Sequence, residues 1–120
     1  MNGRSPQRGE IWFVKLPSDP PEKLSRPVVI VSANVRNNHP RANTVLVIPL
    51  STSVQKSGVP THMNLEPGET GLSDRSIAKA EDISVVRKTS LEAPRQRLRN
   101  LSSSQIRILA NMVCLAMDCG

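Results

Sequence analysis

Aromatic residues are almost missing from this sequence. Its 120 residues include no tyrosine, one tryptophan and one phenylalanine, which stand side by side as Trp12 and Phe13. A chain of this length has the usual size of one domain and buries roughly two thirds of the surface that it exposes when unfolded. Its core must therefore be built from aliphatic residues, and any stacking of nucleic-acid bases on rings is limited to Trp12 and Phe13.

Cysteines and long apolar runs are scarce as well. Cys114 and Cys119 lack the additional Cys or His ligands of a closed zinc site, so we expect free thiols in a reducing compartment. No apolar run approaches the roughly 18 residues of a membrane span, and no charged and then apolar leader of the secretory kind is visible. We predict a cytoplasmic location and no membrane partner.

The usual signatures of metal and nucleotide sites are absent. His39 and His62 are isolated, and no carboxylate or cysteine lies at a ligand spacing from either. No phosphate-cradling glycine loop and no nucleophile elbow appears, which argues against a nucleotide hydrolase or an esterase. We expect chemistry without a metal or cofactor, and we interpret the two histidines as loop and strand residues.

Positive charge, in contrast, is plentiful. Sixteen Lys and Arg against ten Asp and Glu give a formal net charge of +6. Such a balance is typical of proteins that bind an anionic partner such as nucleic acid, but a basic, solvated surface has the same composition. The positions of the charges have to decide between these two interpretations.

Short runs of branched and aromatic residues predict β-strands, because proline, glycine and polar residues bound each of them. Four branched residues follow Pro27, as in a strand buried on both faces. The segment 33–43 is polar and cationic, so we expect a loop there. The predicted strands span residues 10–16, 26–32, 44–50, 61–65, 76–81 and 83–87, and the last two are either separate short strands or one bent strand with Asp82 at the break.

One helix is predicted at the C-terminal end. Ser102 and Gln105 have the spacing of a capping box, and a helical stripe of about four turns follows. Ile108, Met112 and Leu115 lie off that stripe, which fits either a subunit interface or a helix sunk deep in a small barrel. The stripe consists of Ile106, Leu109, Ala110, Val113, Ala116 and Met117.

Short strands followed by one helix favour a mainly β fold, a small and partly closed barrel. A parallel sheet is excluded because its crossovers need helices between the strands, and none is predicted before residue 102. We expect a flexible N-terminal arm at residues 1–7 and a single domain at residues 8–120.

Polar residues gather at the ends of the predicted strands. Alternation along residues 76–81 puts Ile77, Lys79 and Glu81 on one face, so a cation and a carboxylate lie together. This pair is either an ordinary surface ion pair or part of a site. The full set of strand-end candidates is Glu10, Arg26, Ser51, Thr52, Lys79 and Glu81.

Several of these segments, in order, resemble the MazF/PemK family of toxin endoribonucleases over residues 8–117. The matching strings are RGEIWFVKL, RPVVIVS, NTVLVIPLSTS, and GL followed by SIAKAEDISVV. The resemblance implies an SH3-like barrel of the CcdB/PemK type with a C-terminal helix, and a homodimer. It also implies specific cleavage of single-stranded RNA, chiefly messenger RNA, by attack of the 2′-OH to give a 2′,3′-cyclic phosphate and a 5′-OH.

The implied partner, besides the RNA, is a cognate antitoxin of the MazE type that blocks the site. Binding to promoter DNA is implied only through the complex with that antitoxin. Two other interpretations stay open at this point. One is a CcdB-like toxin that inhibits gyrase by binding, although such toxins carry a tryptophan near the end of the helix, where this sequence reads LAMDCG. The other is a barrel that binds nucleic acid without catalysis.

The resemblance also implies roles for single residues. Arg26 matches the arginine that opens a strand and stabilises charge on the phosphate, which suits a planar and always charged group. Ser51 falls where many members have threonine, and Thr52 is its neighbour, so either hydroxyl is a candidate for a hydrogen bond to the scissile phosphate.

Lys79 and Glu81 fall where PemK-type members have an arginine and an aspartate. Lys79 is thus the expected second phosphate clamp and Glu81 the expected base for the 2′-OH. Glu10 matches the glutamate of the first strand and is assigned to substrate positioning. The cations expected to hold RNA phosphates from two loops beside the strand ends are Arg36, Arg41 and Lys56.

Overall fold

The computed structural model describes residues 5–22, 24–94 and 97–118. Its strands are β1 (Ile11–Val14), β2 (Arg26–Ile30), β3 (Thr44–Thr52), β4 (His62–Leu65), β5 (Ser76–Lys79) and β6 (Ser84–Arg87). Its helices are α1 (Asn34–Asn37), α2 (Pro67–Thr70) and α3 (Ser103–Met117), and 3₁₀ turns span Ala80–Asp82 and Lys88–Ser90. The predicted mainly β fold with a C-terminal helix is confirmed.

The long strand β3 holds the sheet together. Its first half pairs with β6, its middle with β2, and its last three residues with β5, all antiparallel. The sheet order is β1, β2, β3, β5, β4, with β6 also on β3. Because β3 changes partners along its length, its end at Ser51 and Thr52 lies where the strands of two half-sheets meet.

Two apolar clusters lie on opposite faces of the curved sheet, as strand alternation requires. The barrel core contains Trp12, Val14, Leu16, Val28, Ile30, Val45, Val47, Val86 and Leu91. The helix-side core contains Ile11, Val29, Ile48, Leu50, Met63, Leu65, Ala78, Leu101, Ile106 and Leu109. Trp12 is only 2% exposed, so it belongs to the core and offers no surface for stacking bases.

The N-terminus of α3 has the predicted capping box. The backbone N–H of Gln105 donates to the Ser102 hydroxyl (3.1 Å), and the backbone N–H of Ser102 donates to the Gln105 side chain (2.8 Å). Ile106 and Leu109 are buried in the helix-side core, whereas Ile108 is 48% exposed. These two hydrogen bonds set the start of the helix and therefore which of its faces covers the sheet.

The predicted loop at 33–43 contains the short helix α1, which sequence patterns missed. Asn37 is fully buried, and its amide donates to the backbone carbonyl of Ser32 (2.8 Å). The Ser32 hydroxyl donates to the Asn37 side chain and accepts from the backbone N–H of Leu46 (3.1 Å). A buried polar group needs such partners, and apolar periodicity does not reveal them.

The sequence predicts a flexible arm at one end of the chain and free cysteines at the other, and the structure describes both ends only in part. Gln7 donates to Asn38 (2.8 Å), while residues 1–4 lie outside the described part, so the arm at 1–7 stays a prediction. Cys114 is disulfide-bonded, which corrects the expectation of a free thiol at that position; Cys119 is not among the described residues. No helix in the described ranges is long and apolar enough to cross a membrane.

The capping box predicts a matched pair of mutational effects. Ser102→Ala removes the acceptor for Gln105 and should lower the free energy of unfolding by about 1 kcal/mol. Ser104→Ala, two residues on and exposed, should change it by less than about 0.5 kcal/mol. Equilibrium urea denaturation measures both, and equal effects of the two variants would contradict a capping role for Ser102.

Candidate active site

Arg26 and Ser51 lie on the same face of the sheet. The last aligned pair of β2 and β3 is Val28 with Pro49. Arg26 lies two positions before Val28, and Ser51 lies two positions after Pro49. Since side chains alternate with a period of two, both project on the face of Val28, at the end of the barrel core. Thr52 faces the other way, so alternation separates the two candidate hydroxyls.

The same row continues across the next two strands. Ser51 pairs with Ile77 of β5, and Ile77 pairs with Asn64 of β4. One row further, Lys79 pairs with His62. An arginine, a serine and a lysine thus share one face with an asparagine and a histidine.

Arg26 is held by an acid that sequence patterns did not single out. Its guanidinium donates to Asp19 Oδ1 at 2.9 Å, and the two side chains are 22% and 8% exposed. Asp19 Oδ2 is buried with no hydrogen-bond partner among the described residues. The pair uses one of the five N–H donors of Arg26 and orients the guanidinium from the loop between β1 and β2.

Glu81 does not lie in strand β5 with Lys79. β5 ends at Lys79, and Glu81 lies in the 3₁₀ turn Ala80–Asp82. The predicted strand at 76–81 was therefore too long, and the shared face expected from alternation ends at Lys79. β5 and β6 pair with successive parts of β3, and the 3₁₀ turn between them interrupts the strand alternation.

Both carboxylate oxygens of Glu81 are engaged. The Thr61 hydroxyl donates to Oε1 (2.8 Å), and His62 Nε2 lies 2.7 Å from Oε2. The hydrogen bonds from His62 and then from Thr61, with one from its own backbone, lower the pKa of Glu81 to about 2. The carboxylate is thus ionised at neutral pH and is a poor proton acceptor.

The second ring nitrogen of His62 contacts the loop 53–61. His62 Nδ1 lies 2.7 Å from the Ser57 hydroxyl, and the His62 side chain is 11% exposed. Ser57 is fixed from the other side, because its N–H donates to Asn64 (2.8 Å) and its carbonyl accepts from the Asn64 amide (3.0 Å). Ser57, His62 and Glu81 form a continuous hydrogen-bonded chain.

This chain of hydrogen bonds was missed in the sequence, where His62 was interpreted as a strand residue. No short spacing signals it, since 19 residues separate His62 from Glu81. The antiparallel pairing of β4 with β5 brings them together. The nearest sequence signal is a histidine at the second position of the predicted strand 61–65, which by itself is common.

Three predicted substrate contacts lie elsewhere. Arg36 donates to the Thr44 carbonyl and to its hydroxyl (2.8 Å), at the opposite end of β3, roughly 20 Å from Ser51 at 3.3 Å per residue. Arg41 lies in the same connection. The structure thus corrects the expectation that the loop at 34–41 flanks the strand ends at Ser51.

Glu10 is also far from this group. Its carbonyl accepts from Ile30, at the distal end of β2, and its carboxylate accepts from the backbone of Gln7 (2.7 Å) and from Trp12 Nε1 (3.0 Å). The carboxylate therefore satisfies the polar atom of a buried ring. Of the remaining candidates, Lys56 is exposed in the loop 53–61, beside Ser57.

No group of three or more His, Cys, Asp or Glu side chains within the described ranges is arranged to hold a metal ion. What the arrangement offers is positive charge and hydroxyls beside a histidine. Such groups can bind a phosphodiester, stabilise negative charge that develops on it and move a proton.

The fold is that of MazF toxins. An endoribonuclease in complex with its cognate antitoxin, from a mycobacterial species, superimposes with a TM-score of 0.71 at 20% identity, covering 97% of this chain and 98% of that one. The toxin MazF-mt6 of Mycobacterium tuberculosis gives 0.67 at 25% identity, with 90% and 95% covered. The class defined by fold and site is a small CcdB/PemK-like toxin barrel.

The sequence places the chain within that class. Residues 7–117 match the family described as "PemK-like, MazF-like toxin of type II toxin-antitoxin system", and the chain belongs to this family of toxin endoribonucleases. It is also 26% identical over 113 residues to Endoribonuclease MazF of Staphylococcus saprophyticus, covering 92% of this chain and 90% of that protein.

The hydrogen bonds of Glu81 predict an acid-dependent stability difference. A carboxyl whose folded pKa is depressed stabilises the fold above its unfolded pKa, near 4.5, and loses this contribution as pH falls toward about 2. Because the Glu81 side chain is 44% exposed, we expect it to contribute about 1 kcal/mol or less to the free energy of unfolding. Wild type should exceed Glu81→Gln in unfolding free energy at pH 6, and the difference should vanish by about pH 2.

The control for this titration is Glu22→Gln, an exposed carboxyl in the loop between β1 and β2. The free energy of unfolding of this variant, measured by urea denaturation, should equal that of wild type from pH 6 to pH 2. A difference between wild type and Glu81→Gln that stays constant from pH 6 to pH 2 would contradict the depressed pKa.

Proposed function

We propose that this toxin endoribonuclease cuts single-stranded RNA, chiefly messenger RNA, at specific short sequences, and that it does so without a metal ion. The observation that carries the proposal is the common face of Arg26 and Ser51, with Lys79 one row away. A phosphodiester bound there meets two cations and a hydroxyl donor. The net charge of +6 supports encounter with a polyanion.

The reaction is a transesterification within the RNA. The ribose 2′-oxygen attacks the adjacent phosphorus, the bond from phosphorus to the 5′-oxygen breaks, and a 2′,3′-cyclic phosphate and a 5′-OH result. The 2′-OH loses a proton to a base, and the leaving 5′-oxygen takes one up from water. Arg26 stabilises the charge that develops on the phosphoryl oxygens, Ser51 donates a hydrogen bond to them, and Lys79 is a second clamp.

Glu81 is poorly suited to accept the proton directly. Its pKa of about 2 and its two engaged oxygens leave a weak base. We therefore assign the carboxylate to the support of His62 rather than to the 2′-OH. Lys56, exposed beside Ser57, is available to hold a neighbouring phosphate, whereas Arg36 is engaged at the far end of β3.

A cognate antitoxin and a second copy of the chain are the proposed protein partners. A mycobacterial endoribonuclease and a MazF of Deinococcus radiodurans both have structures in complex with an antitoxin, the latter with MazE. Ile108 and Leu115, which are seven residues apart on one face of α3, are 48% and 59% exposed, an apolar face suited to a homodimer. We propose a cytoplasmic location, where messenger RNA is found, and contact with promoter DNA only through the antitoxin complex.

The central prediction concerns cleavage without metal. Purified protein in EDTA should cut single-stranded RNA, and mass spectrometry of the products should find the cyclic phosphate. Arg26→Ala should lower kcat by a factor of about 1000. Intact RNA across a varied set of sequences, or products ending in 3′-OH, would contradict the proposed function and leave the binding-only alternatives, a CcdB-like gyrase inhibitor or a non-catalytic barrel.

Asp19 makes a second variant necessary for this test. Removal of Arg26 alone leaves a buried carboxylate without its cation and costs stability. The double variant Asp19→Asn with Arg26→Ala removes the buried charge as well. Loss of activity in both variants, with the double variant unfolding at a temperature near that of wild type, assigns the loss to the missing guanidinium.

The alternation of β3 predicts which hydroxyl acts. Ser51→Ala should lower kcat by a factor of about 100 to 1000, because Ser51 shares the face of Arg26. Thr52→Ala should change kcat less than about threefold, since Thr52 lies on the opposite face. Initial rates on one RNA measure both variants, and the reverse order of effects would show that the strand end twists away from this register.

A further inference from the structure

We infer that Ser57, His62 and Glu81 form the proton relay of this enzyme, in which Ser57 takes the proton of the 2′-OH while passing its own to His62. This inference rests on the proposed function, since it supplies the base that RNA cleavage requires. It assigns catalysis to a loop serine and makes His62 and Glu81 positioning residues that act through it.

The direction of the hydrogen bonds follows from the ionised state of Glu81. A carboxylate can only accept, so the hydrogen between Glu81 and His62, at 2.7 Å, belongs to Nε2. In the neutral imidazole, Nδ1 is then an acceptor and faces the Ser57 hydroxyl at 2.7 Å. The arrangement corresponds to the serine, histidine and acid order of hydrolytic triads, in which the acid fixes the tautomer.

The surroundings of Ser57 leave its proton for the histidine. The backbone N–H of Val59 donates to the Ser57 oxygen at 3.2 Å, which occupies one lone pair of that oxygen. The hydroxyl hydrogen is thus directed to Nδ1, and the second lone pair remains for a donor from substrate. A substrate hydroxyl is such a donor.

The relay lies next to the phosphate site. Asn64, which holds the backbone of Ser57 by two hydrogen bonds, stands in the row of Ser51 and Ile77. Two strand spacings, about 10 Å, separate the backbone of Asn64 from that of Ser51. In the inferred complex, one ribose phosphate lies in this gap, between Ser51 and the loop that carries Ser57.

Proton transfer in this chain is balanced. The 2′-OH proton moves to the Ser57 oxygen as the Ser57 hydrogen moves to Nδ1, and the result is an imidazolium beside the Glu81 carboxylate. The charged groups that face the imidazole are Glu81 on the 3₁₀ turn and Lys79 on β5, with Lys56 next to Ser57 in the loop. The imidazolium later returns its proton to solvent, which restores the enzyme.

The test measures kcat and KM for one RNA across pH 5 to 9 with wild type, Ser57→Ala and His62→Gln. Each variant should lose a factor of about 100 to 10,000 in kcat with KM changed less than threefold. Wild type should lose activity toward acid pH, and this acid limb should be absent in His62→Gln, which has no imidazole. His39→Gln, the other histidine and an exposed one, is the control and should match wild type.

Glu81→Gln provides an independent readout. The amide still accepts from Nε2 but no longer stabilises the imidazolium, so kcat should fall by less than in His62→Gln and the acid limb should move to lower pH. Binding of an uncleavable RNA with a 2′-deoxy sugar at the cut should be equal in all variants, because the relay does not hold phosphate.

The outcomes separate the inference from the proposed function. If wild type cuts RNA and His62→Gln keeps the same acid limb with kcat within threefold, the relay is wrong while the nuclease stands. Full activity of Ser57→Ala, which removes one oxygen and leaves the strands unchanged, overturns the role of the loop serine even if His62→Gln does not fold. If wild type leaves all RNA intact, the proposed function itself fails.

Discussion

The partner change along β3 is the constraint on which the other features depend. A nine-residue strand that binds β6, β2 and β5 in succession has to curve, and its exit carries Ser51 past the end of its pairing with β2. Arg26 then lies beside that exit, and the rows through Ile77 and Asn64 continue from it. The face that carries Arg26, Ser51 and Lys79 therefore exists because the backbone hydrogen bonds of two half-sheets meet at β3. Buried residues of β3 belong to both cores.

On this face, two basic side chains are each oriented by an acidic side chain. Arg26 is oriented by a nearly buried aspartate, which fixes the guanidinium in the free protein and leaves most of its donors for a phosphate. His62 is oriented by a more exposed glutamate, whose ionised state fixes the ring tautomer. In each case an acid orients its basic partner, so both acids belong to the proposed mechanism as positioning groups.

The strings that carried the family resemblance now have physical reasons. In RGEIW, Gly9 has a φ of +92°, and an added Cβ would lie 2.9 Å from the Leu101 carbonyl oxygen, so glycine lets the segment before α3 approach β1. Glu10 accepts from the buried Trp12 ring. In PLSTS, Pro49 and Leu50 are buried, while Ser51 lies on the same face of the sheet as Arg26. The same short segments thus hold the fold together and carry site candidates, which is why matching them predicted the fold well.

Local pattern by itself determined the six strands within a few residues, the capping box and the mainly β class, since these depend on alternation, caps and turn residues that neighbours in sequence express. Matching to a family added Arg26, Ser51 or Thr52, Lys79 and Glu81 as candidates. Only the tertiary structure decided that Asp19 orients Arg26, that Arg36 and Glu10 lie at the far end of the sheet, and that Ser57 and Glu81 meet at His62. The hydrogen bonds of Asp19, His62 and Glu81 join residues that are 5 to 20 positions apart in the chain, and the loop conformations and the register between strands, which no local pattern encodes, bring them together.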